Sequence, residues 1–158
     1  MIYTTEPSNV FYVYLTAYRG YRSEEVNEVF LKGMTQRIVK HAGLYGHIES
    51  FNIAGMFKEA GADKATKERT LKVMCRTENQ AAELTYLACK EYDQDAVLVV
   101  RSQTHTAELW SIEMQGDYPY SFPQVKTDSL NGTLQQVDAP NGECYSVDDA
   151  GNIWEVIA

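Results

Sequence analysis

The sequence is short of the features that most quickly assign a chain to a class. It has 3 cysteines, 2 tryptophans and 4 prolines in 158 residues. Cys75, Cys89 and Cys144 are odd in number and far apart, which excludes a disulfide framework and a CxxC metal site and predicts reduced thiols filling core space. No stretch approaches the roughly 18 apolar residues of a membrane span, and Met1 to Pro7 lacks the basic and apolar regions of a secretory leader. The expected location is therefore the cytoplasm, with no membrane partner. Basic residues are scarce as well, 14 Lys and Arg against 22 Asp and Glu, for a formal charge of −8. Such a chain lacks the clustered cations that hold a phosphate backbone, so nucleic acid is not an expected partner, although acidity leaves room for a mimic of DNA. GxSxG, HExxH, a Walker loop and a glycine-rich dinucleotide fingerprint are all missing. His41, His47 and His105 have no metal-ligand spacing, so neither a metal nor a bound cofactor is expected.

What is present is periodicity. From Asn9 to Arg19, Phe11, Val13, Leu15 and Ala17 alternate with Tyr12, Tyr14, Thr16 and Tyr18, a strand with bulky side chains on both faces. Ser23 caps a helix whose apolar positions are Val26, Val29, Phe30, Met34 and Ile38, running to about Ala42 with Gly43 as its stop. Two strands are predicted over Ile48 to Glu59 and Arg69 to Arg76, joined by a polar Gly61 to Glu68 connection. Thr77 and Gln80 form a capping box for a second helix, with Ala81, Leu84, Leu87 and Ala88 inward and an end near Glu91 or Tyr92. Ala96 to Val100 reads as a central strand, and Thr106 to Met114 as its neighbour. Gly116 to Pro140 has no dominant period and reads as an ordered loop, followed by a hairpin over Cys144 to Val156 with its turn at Asp148 to Gly151.

The order strand, helix, strand, strand, helix, strand predicts an α+β fold, a ferredoxin-like sandwich in one domain over residues 1–158. Its core spans about 9–114, and the C-terminal loop and hairpin span 115–158. Two helices cover only one face of such a sheet, so the aromatic second face of the first strand calls for a partner, most simply another copy of the chain.

Three clusters carry chemistry. Gly43-Leu44-Tyr45-Gly46, with Glu49 and Ser50, offers close backbone approach beside an aromatic ring; it also fits a helix stop followed by a turn. Ser102-Gln103-Thr104-His105-Thr106 sets five hydrogen-bonding side chains after the most apolar strand, which suits either a ligand contact or a polar turn. Glu59, Glu68 and Glu91 are carboxylates, and Glu91 lies at a helix C-terminus, where negative charge is unfavourable by a few tenths of a kcal/mol to about 1 kcal/mol. A cationic ligand compensates such a charge, and so does solvation beside Lys90.

Taken in order, these clusters resemble the phage S-adenosylmethionine lyases, long called hydrolases. The resemblance is carried by Gly43-Leu44-Tyr45-Gly46, Glu59-Ala60, Ala88-Cys89 with Glu91 and Gln94-Asp95, Val97-Leu98-Val99 and Ser102 to Ala107. Thr5-Glu6-Pro7 and the tail residues Asp148, Gly151 and Trp154 add to it, while Gly116 to Gly142 matches poorly. The resemblance implies a homotrimer of ferredoxin-like subunits similar to PII signalling proteins, with ligand sites between adjacent subunits. It also implies a reaction in which the substrate's own carboxylate attacks its γ-carbon, releasing methylthioadenosine and homoserine lactone. On that footing Glu59 and Glu91 are the leading candidates for the substrate ammonium or ribose hydroxyls, and Tyr45 faces the adenine or the sulfonium. Gln103, Thr104 and His105 take polar edges of the substrate, Gly46 gives backbone approach, and Glu49 and Glu68 are second choices. Two other functions fit the residues: a non-catalytic PII-like binder of an adenine ligand, and an acidic antirestriction protein gripping a host enzyme such as S-adenosylmethionine synthetase.

Overall fold

In the computed structural model, which describes residues 9–58 and 61–158, eight antiparallel strands close into a barrel. Glu59, Ala60 and the Thr5-Glu6-Pro7 stretch lie outside the described residues. The strands are β1 (Phe11–Leu15), β2 (His47–Phe57), β3 (Thr66–Cys75), β4 (Val97–Arg101), β5 (Thr106–Gln115), β6 (Phe122–Val137), β7 (Tyr145–Val147) and β8 (Ile153–Ile157). Around the barrel they run β1-β3-β2-β7-β8-β6-β5-β4, and β4 pairs with β1 to close it. Three helices accompany them: α1 (Glu24–Lys40), the single turn α2 (Ala42–Tyr45) and α3 (Glu78–Tyr86), which continues through a wider turn at Leu87–Glu91.

The ferredoxin-like sandwich is thus not the architecture. An open sheet of four strands would leave one face bare, but here β5 to β8 curl round and return to β2 through β7. The second face of β1 becomes barrel interior, where Tyr12 and Tyr14 pack with Leu98, Val100, Ala107, Leu134, Trp154 and Val156 of the same chain. The bare face that called for a second copy is therefore absent, and that argument for self-association falls away. A barrel abolishes free edges as well as bare faces.

The Gly116 to Pro140 segment, expected as loop, is mostly strand. β6 is 16 residues long and pairs with β5 from Gln115↔Phe122 to Thr106↔Thr133, then with β8 from Thr133↔Ile157 to Val137↔Ile153. It carries little apolar alternation because much of it is exposed on both faces, which is why it reads as loop. A register shift beside Asn131 and Gly132 lets β6 change partners. A Cβ on Gly132 would lie 2.6 Å from the carbonyl oxygen of Ile157, so only glycine permits that approach.

Outside the barrel, β1, β3 and β4 turn Val13, Leu15, Leu71, Val73, Val97 and Val99 toward α1 and α3, all at most 2% exposed. α1 begins at Ser23, whose side chain accepts from the Val26 amide. Its buried stripe is Asn27, Leu31, Met34 and Ile38; Val26 and Val29, expected inside, face outward. Asn27 decides this rotation, because its side chain accepts from the Arg19 amide and donates to the Arg19 carbonyl, pinning the helix start to the end of β1. The expected stop at Gly43 also moves: α2 continues past it to Gly46, whose φ of 98° is a left-handed value that favours glycine. α3 starts at Thr77, which accepts from the Gln80 amide, while the Gln80 side chain accepts from the Arg76 amide. Cys75 is buried in this layer and Cys89 half-buried, but Cys144, expected in the core, is exposed. Among the described residues no helix is long and apolar enough to cross a membrane.

Candidate active site

One end of the barrel is not filled by side chains. A cavity of about 530 Å³ opens there, walled by Leu98, Leu109, Leu134, Trp154 and Val156 and bordered by a small set of polar groups. That combination of apolar wall and few convergent polar groups is what small-molecule sites usually show.

Strand alternation supplies the polar groups. In β3 the residues facing outward are Leu71, Val73 and Cys75, so Glu68 and Thr70 turn inward and are 9% and 7% exposed. Gly55 lies opposite Glu68 in the β2–β3 register, and a Cβ there would stand 2.8 Å from Thr70 Oγ1. The missing side chain leaves the room that Glu68 and Thr70 occupy. From β1 come Tyr14 and Thr16, and Thr16 Oγ1 donates to the Arg69 carbonyl at 2.6 Å. Burial, then the charges of Glu49 and Asp148, push the Tyr14 phenol well above its usual range, so it remains protonated and able to donate.

The segment entering β4 brings Gln94 and Asp95 to the same cavity. Gln94 Nε2 donates to the carbonyls of Tyr18 at 3.0 Å and Tyr92 at 3.1 Å, which fixes the carboxamide and leaves its oxygen as the acceptor end. Arg19 Nη1 stands 3.5 Å from Asp95. Among the described residues of the lining, Glu68, Asp95, Glu143 and Glu155 stand against one cation, Arg19, an acidic balance that favours a positively charged ligand.

Of the candidates expected from the sequence, Glu68 is the one that lines this cavity among the described residues. Tyr45 is 4% exposed in the layer between helices and barrel, where its carbonyl accepts from Cys75 Sγ. Gly46 gives close approach, but to the protein itself: an added Cβ would lie 2.4 Å from the Met74 carbonyl oxygen. Glu49 pairs with Lys72 at 3.6 Å, and the Lys72 ammonium sits 4.5 Å from the centre of the Tyr12 ring. Glu91 is ion-paired with Arg37 on the helical surface. Gln103, Thr104 and His105 form the exposed β4–β5 turn at the far end of β4 from Asp95. His105 has φ 58°, donates its amide to the Arg101 carbonyl and accepts from the Leu134 amide at its own carbonyl. Glu59 falls outside the described residues.

Tyr14, Arg19, Gln94 and Asp95 line the cavity although none is a site candidate from the sequence, where Gln94 and Asp95 count only among the motifs that carry the family resemblance. Gln94 and Asp95 carried a usable signal, polar side chains directly before the most apolar strand.

The model of the S-adenosylmethionine lyase family matches residues 13–157, a span that holds the whole barrel beyond the first two residues of β1. The chain belongs to the S-adenosylmethionine lyase family. It is 38% identical over 158 residues to the S-adenosylmethionine lyase of Enterobacteria phage T3, covering 99% of each chain. Membership of this family makes the chain an enzyme acting on S-adenosylmethionine.

Proposed function

We propose that the enzyme folds S-adenosylmethionine within the barrel cavity so that the substrate's carboxylate displaces its own sulfonium. One carboxylate oxygen forms a bond to the γ-carbon, the γ-carbon–sulfur bond breaks, and its electron pair stays on sulfur. The products are neutral methylthioadenosine and protonated homoserine lactone, with a five-membered ring. Charge balances without any proton transfer, so no general acid or base is required. The family match over residues 13–157 carries the reading.

The chain's own residues then have three tasks. Glu68 and Asp95 hold the ammonium and compensate the sulfonium charge, and the Gln94 carbonyl oxygen accepts from the substrate's nitrogen or hydroxyl groups. Leu98, Leu109 and Trp154 keep water from the carboxylate and press the chain into a folded shape. Alignment of a tethered nucleophile and leaving group corresponds in favourable cases to effective molarities of about 10⁵–10⁸ M, several kcal/mol of barrier. A supply of S-adenosylmethionine destroyed this way would starve methyltransferases and those restriction enzymes that need it, which is the antirestriction role we assign to the protein.

Purified protein incubated with S-adenosylmethionine in water enriched in oxygen-18 tests the chemistry by chromatography and mass spectrometry. The expected products are methylthioadenosine and homoserine lactone, and any homoserine formed later carries the heavy oxygen in its carboxyl group. Label in the γ-hydroxyl would mean direct attack by water. Unchanged substrate would remove the enzymatic reading altogether.

A further inference from the structure

The loop 138–144 joins β6 to β7 and supplies Gly142, Glu143 and Cys144 to the cavity wall. Among the described residues, most of its hydrogen bonds converge on one carboxylate. Glu155 on β8, only 6% exposed, accepts from the Asn141 amide at 3.0 Å, the Asn141 side chain at 3.1 Å and the Gly142 amide at 2.7 Å. Gly142 suits the seat, since a Cβ there would come to 3.3 Å of Glu155 Oε2. The Asn141 amide first, and then those of Gly142 and the Asn141 side chain, hold the Glu155 carboxyl below its usual range, so at neutral pH the acceptor is ionised. The other tie of the loop is Lys58 to Glu143, a 3.8 Å pair between exposed side chains, which contributes little.

A buried carboxylate with three donors on one neighbouring loop is a clamp. Bonds to an ionised acceptor are roughly twice as strong as neutral ones, and their loss leaves a buried group without its partners. The clamped loop is at once a wall of the cavity, so its position sets how much of a ligand the barrel encloses.

We propose that Glu155 is a positioning residue of this enzyme, seating loop 138–144 as the outer wall of the cavity and thereby setting affinity for the substrate. The role rests on the cavity being the S-adenosylmethionine site. It acts through the loop, in addition to the negative charge it shares with Glu68 and Asp95 in the lining, and Asn141→Ala, which leaves that charge in place, separates the two effects.

Cys144 makes the loop directly readable. Burial pushes the Cys75 thiol up to about 12 and the Cys89 thiol up to about 11, so at neutral pH the exposed Cys144 is the thiol that reacts. Labelling of Cys144 by a maleimide, followed by mass spectrometry without substrate, reads the clamp; steady-state kinetics with S-adenosylmethionine reads the site. Glu155→Gln is expected to raise KM by roughly tenfold, the scale of a lost charge-assisted bond, with kcat within about twofold of wild type, and to speed labelling by a smaller factor because Cys144 is already exposed. S-adenosylhomocysteine is expected to slow labelling of the wild type and to do so less in the variant. Asn141→Ala, which removes only the side-chain donor, should move both readouts the same way by less, and it carries the test if Glu155→Gln does not fold. Unaltered labelling in both variants overturns the clamp. Faster labelling with unchanged KM overturns the link between loop and site, and a fall in kcat at constant KM assigns Glu155 to the chemistry instead. Wild-type protein that leaves S-adenosylmethionine intact refutes the functional reading in a separate measurement.

Discussion

On the outer face of the barrel, Val13, Leu15, Leu71, Val73 and Val99 lie against α1 and α3 with almost no exposed surface. One residue along the same strands, Tyr14, Thr16, Glu68, Thr70 and Leu98 turn to a cavity. A two-residue period lets a single strand serve both ends, because successive side chains point to opposite faces. The outer face is close-packed and supplies stability. The inner face stops short of filling its volume and accepts buried polar groups, which costs stability and leaves room for a ligand.

The comparison can be broken from the packed side first. Trp110, 1% exposed, lies with Phe11 in the outer layer at a ring distance of 6.4 Å. Trp110→Ala is expected to cost about 3–5 kcal/mol, the usual scale for deleting a buried aromatic ring, as read by urea denaturation. A cost under about 1 kcal/mol would show that the outer layer is not the main source of stability.

From the cavity side, Glu68→Gln keeps the shape and removes the charge. The expected loss is about 1.5–3 kcal/mol in kcat/KM, roughly ten- to a hundredfold, with the melting temperature little changed. Equal activity with reduced stability would reverse the assignment, making Glu68 structural. Gly46→Ala should do the opposite, destabilising by about 1–3 kcal/mol through positive φ and the collision with the Met74 carbonyl, while leaving KM of the folded fraction alone.

Acid offers a finer test of the C-terminal strands. Asp148 is held below its usual range chiefly by the Trp154 indole N–H, then by the Asn152 and Ala150 amides, and Glu155 by the loop amides. Both carboxyls have folded values below their unfolded ones, so their stabilisation is fully present above the unfolded values and is lost as pH falls from about 4.5 through the folded values. Melting temperature against pH should decline across that range in wild type and more shallowly in Asp148→Asn. The smallest effect expected is that of Glu91→Gln on the helical surface, under about 1 kcal/mol because its pair with Arg37 is exposed. Turnover should stay near wild type; a large fall would place Glu91 in a site completed by a neighbouring subunit, as the resemblance to the family implies.

Where the pattern was strong, it was readable. The strands at Phe11–Leu15 and Val97–Arg101, the Ser23 and Thr77 helix starts and the β7–β8 hairpin all follow from local alternation or capping chemistry. β6 was not readable, since a strand exposed on both faces has no apolar period to reveal it. The residues around the cavity were equally hard to read. Tyr45 and His105 stand out in the sequence because glycines and polar neighbours surround them, yet those neighbours serve a tight approach to β3 and a hairpin turn. Glu68 was a second choice because it closed a stretch read as polar connection, whereas β3 begins two residues earlier.

Sequence alone determined the local conformations where apolar alternation or capping was strong, the acidic balance and, through motifs in order, the family to which the chain belongs. Closure of the sheet was decided only in three dimensions, by pairings such as β2 with β7 and β6 with β8, between segments far apart along the chain whose edges met no other partner. That closure turned the aromatic face of β1 into an interior and brought Glu68, Gln94, Asp95 and Glu155 to one cavity. No short-range period encodes such a meeting, because it depends on which distant strand edges find each other.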